Sequence, residues 1–90
     1  MAKANVDPAE LRRFARDLHR FNTDVAAQLG SLHAKSRNLA QSWRDQEHEK
    51  FAAELEQTMA SLKRFLEASE KHETFLKRKA GAAEAYLDRH

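Results

Sequence analysis

Five apolar residues stand at strict seven-residue spacing in the first half of the chain: Leu11, Leu18, Val25, Leu32 and Leu39. A seven-residue repeat held over that distance describes an α-helix whose apolar face packs against other helices with a slight left-handed supercoil. Phe14 and Phe21 take the second seam position of the same heptads, and the next residues at that position, Gln28 and Lys35, interrupt it, with Leu29 alongside. Gly30 falls inside the pattern and costs about 1 kcal/mol relative to Ala in a helix. The repeat keeps its phase through Gly30, so the segment reads as one helix rather than two.

The ends of that helix are also written in the chain. Asp7-Pro8-Ala9-Glu10 supplies a capping acid, a proline at the first helical position and a glutamate placed to reach back to the cap. Met1 to Val6 precede the cap and read as a loose tail. After Leu39 the phase is lost at Ser42-Trp43-Arg44-Asp45. Asp45 can cap a second helix, and Glu47 and Glu49 suit its positive end. Phe51, Leu55, Met59, Leu62, Phe65, Leu66, Ser69, Leu76, Ala80, Ala83 and Leu87 then mark a second apolar face. The adjacent pairs Phe65-Leu66 and Phe75-Leu76 make that face wider than one seam, because neighbours on a helix stand about 100° apart.

These signals predict an all-α fold in a single domain over residues 1–90. It is an antiparallel helix-turn-helix hairpin with helix 1 over about 8–41, a turn over about 42–45 and helix 2 over about 46–87. Composition agrees. Isoleucine is absent, Val occurs only at Val6 and Val25, and Ala, Leu and Phe dominate the apolar set, which favours helix over strand. A hairpin gives each helix one neighbour, and a broad stripe then leaves Phe and Leu in water, each forgoing roughly 1.5–3 kcal/mol of burial. A second hairpin covering the surplus makes a four-helix bundle, so a dimer is expected. The hairpin and dimer interface is assigned to Leu11, Phe14, Leu18, Phe21, Val25, Leu32, Leu39, Phe51, Leu55, Met59, Leu62, Phe65, Leu66 and Leu76. Leu62 is taken as a representative buried leucine and Arg16 as a solvent-facing residue.

The bend resembles a known family. Ser42-Trp43-Arg44-Asp45, followed by Phe51, is similar to the turn of the WXG-type proteins, the early-secreted-antigen-like substrates of type VII secretion. Two long helices of similar length and a Trp-x-Gly turn between them extend the resemblance over the whole chain. Asp45 stands where the motif has glycine; Asp tolerates a left-handed conformation and also caps helices, so both routes to the same bend are open. The resemblance implies antiparallel homodimers or heterodimers and export without a cleaved signal peptide. Trp43, Asp45 and Tyr86 are then the recognition residues, Tyr86 completing a composite surface in the dimer. Exported relatives carry an acid four residues after the tyrosine. Here that position is His90, and Asp88 points to another helix face.

Other chemistries find little support. His19, His33, His48, His72 and His90 include no pair three or four apart, so no metal site is expected. His72 falls on the seam of helix 2. Arg12, Arg13, Arg16 and Arg20 form a basic strip and Lys77-Arg78-Lys79 another, but 16 basic and 14 acidic residues are well mixed. That is a solvated surface rather than a nucleic-acid footprint. No phosphate loop or nucleophile–base spacing appears, cysteine is absent, and no apolar run is long enough to span a membrane. The expectation is a non-enzyme without cofactor. It works as an exported substrate or as the carrier of another protein, cytoplasmic or secreted without a cleaved leader. Its partners are a second copy or a sister hairpin, with a secretion ATPase or a larger secreted effector beyond them. A cytosolic adaptor hairpin with no export role is the alternative.

Overall fold

The computed structural model describes residues 5–89. The first four residues of the expected tail, and His90, lie outside the described residues. Two helices, α1 (Pro8–Leu39) and α2 (Gln46–Asp88), pack side by side as a hairpin with no strand among the described residues. The molecule measures 69 × 16 × 12 Å. It is a ribbon one helix thick, with two broad faces and no enclosed centre.

Local sequence sets the ends of each helix. Asp7 is extended, and its carboxylate accepts from the Ala9 N–H at 2.9 Å. Glu10 pairs with Arg13 rather than reaching back to the cap. At the far end, the Leu39 carbonyl accepts from the N–H groups of both Ser42 and Trp43, closing α1 into a tight turn. α2 opens on Asp45, whose carboxylate accepts from the His48 N–H at 2.9 Å. Gly30 sits within α1 without interrupting it, and a methyl group added there would meet nothing within 4 Å.

The seam between the helices differs in one respect from the expected one. The Leu11, Leu18 and Val25 series does face α2, half-buried. The second series is Ala15, Asn22, Leu29 and Ser36, not Phe14 and Phe21. Ala15 and Asn22 are the buried residues of α1, whereas Phe14 is 57% exposed and Phe21 48%. Both series have the seven-residue period; they lie on opposite sides of the leucine row. Small side chains won because they let two helix backbones approach, and phenylalanines there would hold them apart. Across the seam α2 contributes Met59, Leu66, Ser69, Glu73, Ala80 and Ala83. Leu62 is 37% exposed in the single hairpin, and Leu66 is the leucine that α1 covers.

Candidate functional site

The residues assigned to the interface divide into three groups. Met59 and Leu66 are buried in the seam; Leu11, Leu18, Val25, Leu55 and Leu76 are half-buried along it. Phe14, Phe21, Leu32, Leu39, Phe51, Leu62 and Phe65 are exposed. The exposed members of α1 share one side, since Phe14 and Leu32, like Phe21 and Leu39, are separated by about five whole helical turns. On α2, Phe65 meets Phe21 edge to face, with ring centres 6.4 Å apart and planes at 85°. Phe14 and Leu18 line a shallow groove together with Phe65, Ala68, His72, Phe75 and Leu76. One broad face of the ribbon is therefore paved with phenylalanine and leucine. His72 lies on this face, exposed, rather than inside the seam.

Apolar surface of this extent is uncommon on a protein that works alone. The arrangement follows from the seam. Because Ala15 and Asn22, rather than Phe14 and Phe21, complete the contact with α2, the phenylalanines of α1 are left on one flank, where Phe65 and Phe75 join them. They remain available there to another surface.

At the middle of the seam lies a polar layer that the heptad reading missed. The Asn22 side-chain amide donates to Glu73 Oε2 at 2.6 Å, and the Ser69 hydroxyl donates to Asn22 Oδ1 at 2.7 Å. His19 Nδ1 stands 2.9 Å from Glu73 Oε1. Asn22, Ser69 and Glu73 are all buried, and among the described residues no buried side-chain polar atom lacks a partner. The Asn22 amide, and then His19 and Lys77, hold the Glu73 carboxyl below the usual carboxylate range against the opposing effect of burial. One signal could have exposed this layer: Asn22 falls seven residues after Ala15 and seven before Leu29, the position where a polar residue fixes register between helices. Nearer the free end, Arg12 clasps Glu84 through two bonds of 2.8 and 2.6 Å. That pair raises the Arg12 pKa and lowers that of Glu84.

The turn carries the motif residues. Trp43 is half-buried and folds back onto the first turns of α2. Its ring lies 5.0 Å from that of His48 and 5.7 Å from that of Phe51. Asp45 has φ −105° and ψ −177°, and no described residue has a positive φ. Of the two routes to the bend open to Asp45, capping is the one in use. The His48 N–H bond is the main reason the Asp45 carboxyl is held below its ordinary range. Tyr86 is half-buried in the last turns of α2. About 60 Å of helix separates it from the turn at 1.5 Å per residue. One hairpin therefore cannot bring Trp43 and Tyr86 together.

Among the described residues no group of His, Cys, Asp or Glu is placed to hold a metal ion, and no helix is long and apolar enough to cross a membrane. No curated protein and no solved structure matches the chain. The family model WXG100, proteins of 100 residues with WXG, matches residues 3–87. The match takes in both helices, the Trp43 turn and Tyr86, so the chain belongs to the WXG100 family, small helical-hairpin proteins associated with type VII secretion.

Proposed function

We infer that this protein serves a type VII-like secretion system by helix-to-helix binding, as an exported substrate or as the carrier of another protein. The observation that carries the reading is the paved face. Phe14, Phe21, Phe65 and Phe75 are each about half exposed on a ribbon only 12 Å thick. A second hairpin, either another copy or a sister protein, covers that face and forms a four-helix bundle. Members of the family commonly form homodimers or pair with other members. Antiparallel pairing also sets the turn of one chain beside the free end of the other. Trp43 and Tyr86, apart in the monomer, then contribute to one surface that a secretion ATPase or a larger effector can read.

Trp43→Ala tests this reading. On the recognition model the variant keeps its helicity and its dimer but loses export or partner binding. Trp43 also packs on His48 and Phe51, so melting temperature is measured alongside. Intact folding with unchanged binding and export leaves the turn without a recognition role and makes a cytosolic adaptor hairpin the better account.

A further inference from the structure

The face away from the phenylalanines carries a different feature. Arg16, His19, Arg20, Thr23, Asp24 and Lys77 line a groove of about 410 Å³. Two residues along a helix turn about 200°, so Arg16 leaves α1 nearly opposite Phe14. The groove therefore stays open when the paved face is covered.

Its two arginines, Arg16 and Arg20, have no ion-pair partner among the described residues. Arg12 is paired with Glu84 and Arg13 with Glu10. Arg16 and Arg20, one turn further along the same strip, make no hydrogen bond or ion pair among the described residues. Asp17 and Asp24 are sequence neighbours of these arginines, yet neither approaches them within ion-pair distance. The acid beneath the groove, Glu73, is already bonded to Asn22 and His19. Lys77 adds a charge from α2, so the cluster exists only in the folded hairpin.

We propose that this groove binds a phosphate group, with Arg16 and Arg20 as guanidinium donors, Thr23 as a hydroxyl donor and Lys77 as a point charge from the facing helix. Arg16 and Arg20 are four residues apart and project from the same side of α1. A carboxylate offers two oxygens in one plane, whereas a phosphate presents oxygens in a tetrahedral arrangement and so takes donors from both helices at once. The cluster is also short. Further along this face the next groove mixes Glu56 with Lys63 and His33 and is otherwise mostly apolar. The basic surface therefore lacks the continuous track that a nucleic-acid backbone requires.

The test is a nuclear magnetic resonance titration of the full chain with inorganic pyrophosphate at low ionic strength. Saturable shifts are expected at Arg16, Arg20, Thr23 and Lys77. The double variant Arg16→Gln with Arg20→Gln should weaken binding by about tenfold or more, as loss of charge-assisted bonds implies, with helicity unchanged. Lys77→Gln should weaken it from the opposite helix, and Lys63→Gln, outside the groove, should not. Cosedimentation with vesicles of phosphatidic acid in phosphatidylcholine would assign the phosphate to a lipid headgroup; pyrophosphate binding without it would assign a soluble phosphate. Absence of saturable shifts overturns the proposal. So do equal shifts at Lys35, Arg37 and Arg64, or a hexaglutamate peptide that binds as tightly as pyrophosphate.

Discussion

The seam between the helices and the flank beside it use opposite chemistry. The seam is thin: Ala15, Ala80 and Ala83 bring the backbones close, and Asn22, Ser69 and Glu73 fill its middle. The flank holds the large side chains, with four phenylalanines about half in water. Ala15 and Ala80 are almost completely covered, but no large side chain among the described residues is fully buried. The contrast separates two tasks. A polar layer adds little net stability and instead penalises wrong registers, because a slip strands its donors and acceptors. Apolar area supplies the driving force for association, and here the chain places it where a second surface can remove it from water.

The largest expected effect breaks the flank. Phe21→Ala with Phe65→Ala, on the proposed dimer, should weaken association by about 3–6 kcal/mol, from roughly 1.5–3 per phenylalanine removed from water. Sedimentation at micromolar concentration would read this as a fall from about twice the 10.4 kDa chain mass to a single chain. A wild type that sediments as a single chain at that concentration would remove the bundle.

Breaking the seam should cost less and behave differently. Asn22→Ala leaves Glu73 and Ser69 without their buried partner and should destabilise by about 1–3 kcal/mol. Unlike the phenylalanine effect, the loss should persist when measured at different protein concentrations. Thermal unfolding of both variants across a concentration series separates the two regions.

Acid should act on the seam and caps before the flank. Glu73, Glu84 and Asp45 are all held below their ordinary pKa. A lowered folded-state pKa means that stability is fully present above the unfolded carboxylate value, roughly 4–4.5. It is lost as pH falls through the lowered folded values. The melting temperature should therefore hold above that range and drop below it. Glu73→Gln should flatten part of the drop, and an unchanged acid profile would show that the polar layer does not stabilise the hairpin through its charge. Glu84 and Asp45 are solvent-screened, so their share is the smaller.

The smallest effect is a gain. Gly30→Ala should raise stability by about 1 kcal/mol, the helix-propensity difference, since the added methyl group meets nothing. A loss instead would mean that another surface approaches α1 closely at Gly30.

The heptad of leucines, the two acids at the helix starts and the Trp43 turn each act within a few residues, so the sequence alone determined two helices, their caps and the bend between them. It also implied a family, which the match over residues 3–87 supports. It did not determine which flank of the leucine row would face the other helix. Phe14 and Phe21 lie three residues after Leu11 and Leu18, and Ala15 and Asn22 lie four after, so either set completes a heptad seam. Hydrophobicity favours the phenylalanines. The choice fell to the approach distance of two backbones and to the hydrogen-bond partners Asn22 finds on α2, Glu73 and Ser69. Those partners are 51 and 47 residues away along the chain. Pairing at that separation exists only once the hairpin closes, and with it came the polar layer, the paved face and the basic groove behind it.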